Sequence, residues 1–203
     1  TGTAGRDSTI TEIPDSTGVI GGDSAMRSRI FARGLADIHT ISIGTSAFSQ
    51  CFSLESIELP EGLAELKRLT FAGCDALLEV KLPNTLASIE NYAFSGCSSI
   101  TRIDVPKSVE TIADYAFSEM ANCKAINVEA GNANYSSSDG ILLSGDGTQV
   151  VKCPEGKTDG VGVPEGVKEI NSGAFANNAS LTDVALPESV ERIDNFAFLG
   201  CSN

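Results

Sequence analysis

Phenylalanine returns every 23 residues in this chain, at Phe48, Phe71, Phe94 and Phe117, and again at Phe175 and Phe198. With nine phenylalanines in 203 residues, a given step would land on one by chance about one time in twenty, so four such steps mark a repeat. Other columns keep the register: Pro60, Pro83 and Pro106, then Pro164 and Pro187, and the cysteines Cys51, Cys74, Cys97 and Cys201. The template is L-x-x-I-x-L-P-x-x-L-x-x-I-x-x-x-A-F-x-G-C. Its I-x-L-P part alternates and is rich in branched residues, which predicts a strand that proline ends. The L-x-x-I part predicts a second short strand or extended segment. The A-F-x-G-C part has helical spacing over a single turn, which predicts a short helical or 3₁₀ turn.

Energetics force these units to stack. One unit offers about seven apolar side chains, each contributing roughly 1.5–3 kcal/mol when buried. Ordering its backbone costs roughly 1–2 kcal/mol per residue. A lone unit cannot fold, so neighbours must cover each other's apolar rows. The expected fold is a β-rich α/β repeat, a solenoid of parallel strands stacked at the 23-residue period, with a continuous buried phenylalanine spine.

Departures from the template divide the chain. Leu69-Thr70 replaces the usual pair before Phe71, Met120 stands where a cysteine is due, and Cys123 takes a leucine position. The step from Phe117 to Phe175 is 58 residues, 35 longer than one period. The inserted segment, at about 130–164, has apolar runs on both sides of Gly145-Asp146-Gly147, which predicts a β-hairpin. Its second arm, ending in Lys152-Cys153-Pro154, echoes the I-x-L-P strand and is a candidate to join the main sheet. Residues 1–34 do not fit the template. A helix over residues 25–38 and a shortened repeat between Phe31 and Phe48 are alternatives there, and an irregular cap is the favoured reading. Residues 35–203 form the solenoid.

The template resembles the BspA-type, or Treponema-type, leucine-rich repeat. Leu59-Pro60, Ala93-Phe94 and Gly96-Cys97 carry the resemblance, which covers roughly residues 35–203, and the insert with Asn134-Tyr135 and Asp139-Gly140 resembles a segment that interrupts such arrays. The resemblance implies a secreted or surface-attached bacterial protein, a leucine-rich-repeat solenoid that binds protein ligands. Adhesion to host extracellular matrix or to another bacterial surface protein is the implied role. No signal peptide precedes Thr1, and the chain stops at Asn203 where another strand is due; both fit a piece of a longer protein.

Composition narrows the chemistry. The formal net charge of −13 opposes nucleic acid and anionic membrane surfaces. No apolar run approaches the ~18 residues of a membrane span. His39 is the single histidine, which leaves little room for Ser-His-Asp chemistry or a multi-histidine metal site. Cys51, Cys74 and Cys97 hold equivalent positions one unit apart. Parallel Cβ vectors at about 4.8 Å are too far apart for a disulfide, so buried free thiols are expected. Asp139-Gly140 and Asp146-Gly147 lack calcium-loop spacing and read as turns. No cofactor, metal or catalytic constellation is expected.

Charge on the first strand is the remaining signal. Residues between the apolar ones point outward, which exposes Glu58, Glu79, Lys81, Arg102, Asp104 and Asn127. Glu58, Lys81 and Asp104 share one column, and Glu79 comes beside Arg102. On the second strand Lys168 faces Glu191 and Glu169 faces Arg192. This strip is either a solvated ladder of ion pairs or a protein-binding face. In the insert, Asn134, Tyr135 and Asp146 are the candidate contact residues, since loops that interrupt a scaffold often bind. The rivals to a binding module are a structural spacer and, less favoured, a carbohydrate-active enzyme using paired carboxylates. The last unit leaves Leu186, Val190, Ile193 and Phe198 uncovered, which predicts weak self-association through that end.

Overall fold

The computed structural model describes residues 12–13, 42–158 and 160–203. His39 and the readings for residues 1–34 lie outside the described residues, apart from a two-residue strand, β1 (Glu12–Ile13). It pairs in parallel with β2 (Ser42–Ile43). The first array then supplies β3 (Ser56–Glu58), β4 (Glu65–Leu66), β5 (Glu79–Lys81), β6 (Ser88–Ile89), β7 (Arg102–Val105), β8 (Thr111–Ile112) and β9 (Ala125–Val128). The insert supplies β10 (Tyr135–Ser138), β11 (Ile141–Ser144) and β12 (Gln149–Lys152). The second array supplies β13 (Val161–Gly162), β14 (Glu169–Ile170), β15 (Val184–Ala185) and β16 (Arg192–Ile193).

The architecture is a β-solenoid. The I-x-L-P segments make the parallel pairs β3–β5, β7–β9 and β13–β15, and the L-x-x-I segments make β4–β6–β8 and β14–β16. Register follows the period: Ile57 pairs with Val80, Leu66 with Ile89, Ile103 with Ile126 and Ile170 with Ile193. A one-residue slip would turn buried side chains such as Ile57, Leu66, Ile103 and Ile170 out of the core.

The A-F-x-G-C segment is not the helical or 3₁₀ turn that its spacing predicts; among the described residues no helix is present. Two columns of left-handed residues prevent one. Two places before each phenylalanine stand Ser46, Leu69, Tyr92, Tyr115, Gly173 and Phe196, with φ from 57° to 66°. Two places after it stand Gln50, Gly73, Gly96, Glu119, Asn177 and Gly200, with φ from 58° to 77°. A helix needs negative φ throughout, so the segment becomes a chain of turns. Its backbone groups pair with the next coil instead: Phe71 N donates to Ala93 O (2.8 Å), and Gly73 N to Ser95 O (2.7 Å).

The phenylalanine spine is two stacks. Ring centroids lie 5.3, 5.4 and 5.8 Å apart along Phe48, Phe71, Phe94 and Phe117, and Phe175 stacks on Phe198 at 4.9 Å. The insert stands between them and belongs to the core. Leu142 packs into the first array's cluster, while Ile141, Leu143 and Val150 pack into the second's. The period-2 alternation of β11 thus feeds both cores from one strand. The expected hairpin is β11–β12, antiparallel, and its second arm does join the main sheet, with β12 parallel to β14. β10 adds a third, antiparallel strand.

All six cysteines are free. Cys74, Cys97, Cys123 and Cys153 are buried as expected, but Cys51 and Cys201 are half-buried, since they sit in the first and last regular coils described. Several thiols also act as hydrogen-bond donors. Cys74 Sγ donates to Phe48 O (3.0 Å), Cys97 Sγ to Phe71 O (3.1 Å) and Cys201 Sγ to Phe175 O (3.2 Å). Each therefore satisfies a carbonyl of the coil before it. Burial pushes Cys74 and Cys153 up to about 12 and Cys123 to about 11, and raises Cys97 as well.

Candidate functional site

The charged strip on the first strands largely pairs with itself. Lys81 Nζ meets Glu58 Oε1 at 2.9 Å. Arg102 Nε bonds Asp104 Oδ2 at 3.1 Å, along its own strand, and Asn127 Nδ2 donates to Asp104 Oδ1 at 2.9 Å. The expected pairing of Arg102 with Glu79 does not form, because β5 and β7 belong to separate ladders and Arg102 has a partner two residues away. On the second strands Lys168 lies 3.9 Å from Glu191, and Arg192 pairs with Glu169.

The insert residues are structural as well as exposed. Tyr135 is half-buried against the first core, and its hydroxyl accepts from Ile112 N (2.8 Å), covering the open edge of β8. Asn134 O accepts from Gly145 N (2.7 Å), so Asn134 and Asp146 share one end of the three-stranded sheet. Asp146 Oδ1 accepts from Ser144 Oγ (2.6 Å), Thr148 N (3.1 Å) and Thr148 Oγ1 (2.9 Å). Hydrogen bonds from Ser144 and then Thr148 hold its carboxyl below the usual range, so it organises the hairpin turn.

A seam that the sequence did not signal lies where the two arrays meet. In a regular coil the N–H two places after phenylalanine donates to the carbonyl one place after the next coil's phenylalanine, as Gly96 N does to Ser118 O. Glu119 and Ala176 hold the equivalent positions across the insert, yet they do not bond each other. Glu119 N donates to Glu155 Oε1 (2.9 Å), and Ala176 O accepts from Lys152 Nζ (3.1 Å). Lys152 Nζ and Glu155 Oε1 close the bridge at 3.2 Å, with side chains only 13% and 3% exposed. Cys153 N, between them, donates to Ala174 O (2.8 Å). The chain leaves this position through Gly156, where an added Cβ would fall 2.6 Å from the Asn122 carbonyl carbon. A run that reads locally as another I-x-L-P strand therefore supplies an ionic splice. Nothing in its local pattern marks it.

Beside the splice opens a cleft of about 510 Å³. Tyr92, Asp114, Tyr115 and Glu119 line it from the first array, Lys152 and Glu155 from the insert, and Asn171, Gly173, Asn177 and Asp194 from the second. Asp114, Tyr115 and Glu119 are exposed, and neither carboxylate is in an ion pair among the described residues. The first-strand and insert residues expected as contacts are not in its lining; of the charged pairs, Glu169, held by Arg192, is.

Known proteins place this geometry. A model of the BspA-type leucine-rich repeat region matches residues 37–138 and 156–203 in six copies. The unmatched stretch, 139–155, holds β11, β12 and the Lys152–Glu155 splice. Among solved structures, the pneumococcal vaccine antigen PcpA is 33% identical with a TM-score of 0.68, covering 73% of this chain and 37% of PcpA. A leucine-rich cell surface protein of Faecalibacterium prausnitzii is 32% identical with a TM-score of 0.67, covering 77% of this chain and 41% of that one. A leucine-rich repeat protein of Eubacterium ventriosum, at 23% identity and a TM-score of 0.65, shares the fold, with 78% of this chain and 49% of that chain covered. This chain spans less than half the length of each. No curated protein matches it. With the repeat columns, the parallel register and six matched copies in agreement, the chain belongs to the BspA-type leucine-rich repeat family.

Proposed function

We propose that this chain is a non-catalytic, protein-binding solenoid of the bacterial cell surface, acting in adhesion to host or bacterial surface proteins. The observation that carries this reading is the seam cleft, a concavity whose exposed aromatic ring and carboxylates are not consumed by folding. The names of two relatives above 30% identity, a vaccine antigen and a cell surface protein, support the location. The strip from Glu58 to Asn127 and the insert end at Asn134, Tyr135 and Asp146 are secondary surfaces, because much of their polar capacity is spent internally. That self-pairing favours a spacer role for the strand face. In the last coil, Leu186, Ile193, Phe196 and Leu199 are exposed, which supports weak self-association there, measurable by sedimentation over a wide concentration range.

Biolayer interferometry against immobilised extracellular-matrix and bacterial surface proteins tests the main reading. Saturable binding to at least one of them is expected. Turnover of a polysaccharide substrate with no protein bound would overturn it.

A further inference from the structure

The left-handed column before the phenylalanines carries an aromatic ladder with one rung missing. Tyr92 and Tyr115 stack, with ring centroids 5.5 Å apart and planes within 8°. Tyr92 thus covers one face of the Tyr115 ring. The next member of the column is Gly173, across the seam, and the one after it is Phe196. A Cβ built on Gly173 would lie 3.6 Å from Tyr115 Cε1, in ordinary contact, so a side chain there would begin against that ring. Gly173, itself buried, puts no side chain against the second face of Tyr115, and Tyr115 is 44% exposed although its neighbour Tyr92 is half-buried.

The free charges around this ring are of one sign. Asp114 and Glu119 flank it on the same coil without ion-pair partners among the described residues, while Asp194, opposite, lies 3.8 Å from Arg192. The lining cation, Lys152, is occupied by Glu155 Oε1 and Ala176 O. Asn171 Oδ1, in the same wall, is buried and accepts no hydrogen bond. That atom is sealed from solvent, so the unspent groups open to the cleft are the Asp114 and Glu119 carboxylates and a π face, which favour a flat cation rich in donors. A guanidinium has that form: it stacks on an aromatic face while its edge N–H groups donate to carboxylates.

We infer that the seam cleft, bounded by Tyr115, Asp114, Glu119 and the side-chain-free Gly173, receives an arginine side chain presented by a basic segment of the partner protein. This rests on the protein-binding reading above and names the chemistry of the partner. The negative cleft also draws such a segment in at long range, in keeping with the chain's net charge of −13.

The test titrates the isotope-labelled 203-residue chain with a short Gly/Ser peptide carrying two central arginines, followed by NMR. The same peptide with citrulline, which keeps the shape and loses the charge, is the control. Shifts should centre on Tyr115, Glu119 and Gly173, with the arginine peptide at least tenfold tighter and weakened by salt. Tyr115→Leu borrows the residue that Leu69 already places in this column, so it removes the π face from a site that tolerates leucine. It should weaken binding about fivefold or more, as should Asp114→Asn with Glu119→Gln. Equal binding of arginine and citrulline peptides, shifts confined to other coils, or an unaltered affinity in both variants would overturn the inference. So would a neutral oligosaccharide that moves the same amides when the arginine peptide does not. A protein ligand that binds the double variant as well as the wild type would also overturn the cleft assignment while leaving the protein-binding reading in place. Failure of every protein ligand, with the arginine peptide still seated, would do the reverse.

Discussion

Lys152 and Glu155 form an ion pair at 3.2 Å that stands in for the backbone hydrogen bond between Glu119 and Ala176. Each partner does two things: it neutralises the other, and it satisfies one backbone group that the interrupted ladder leaves open. Removing one member of a buried pair strands the other charge. Lys152→Met should therefore destabilise the fold by roughly 3–5 kcal/mol in urea unfolding. Lys152→Met combined with Glu155→Met should not restore full stability, because Glu119 N and Ala176 O would remain unpaired. Complete recovery in the double variant would show that the backbone bridging is dispensable.

The phenylalanine stacks differ along their length. Phe94 is fully buried between Phe71 and Phe117, so Phe94→Ala leaves a cavity that the rigid coils cannot close and should cost roughly 3–5 kcal/mol. Phe198 is half-buried, with Phe175 on one side. Phe198→Ala should cost clearly less in the same denaturant titration. Equal losses at the two positions would contradict the difference in burial.

The insert is expected to be indispensable. Ile141, Leu142 and Val150 are completely buried, and Leu142 faces a different core from its two neighbours. Replacing residues 136–150 by a short linker should abolish the cooperative transition seen by circular dichroism. The milder Leu142→Ala should cost roughly 2–5 kcal/mol. A deletion that unfolds like the parent would mean the two arrays can join without β11.

Thiol ionisation sets an alkaline limit on stability. The ordinary thiol value is 9.0, and burial moves Cys74 and Cys153 to about 12 and Cys123 to about 11. Below 9 these thiols hold their protons in both states, and their contribution is constant. Between 9 and 11 or 12 the unfolded chain has lost protons that the fold retains, so stability falls as pH rises. Each such thiol should remove about 1.4 kcal/mol per pH unit over its window. Urea midpoints from pH 8 to 10.5 measure this, and Cys74→Ala should flatten the slope. A midpoint independent of pH across that range would show that the buried thiols do not govern it.

Much of the solenoid was legible because each coil meets mainly its neighbours at a fixed separation. A residue and its partner 23 positions on share an environment, so Phe71, Cys74 and Leu77 announce their columns in one dimension, and the pairing of Ile57 with Val80 follows. The hairpin was legible from Gly145-Asp146-Gly147 and its flanking apolar runs. The left-handed positions were half legible: Gly73, Gly96 and Gly200 mark one column, while Leu69, Tyr92 and Tyr115 disguise the other as a helical turn. The seam was not legible. Which strand follows β8, which backbone groups lose their partners, and which ring faces Gly173 depend on how 35 extra residues are threaded between two periodic arrays. There the contacting residues no longer sit at a common separation. Glu119 meets Glu155 and Cys153 meets Ala174 through spacings that occur nowhere in the repeat, so only the tertiary structure decided them.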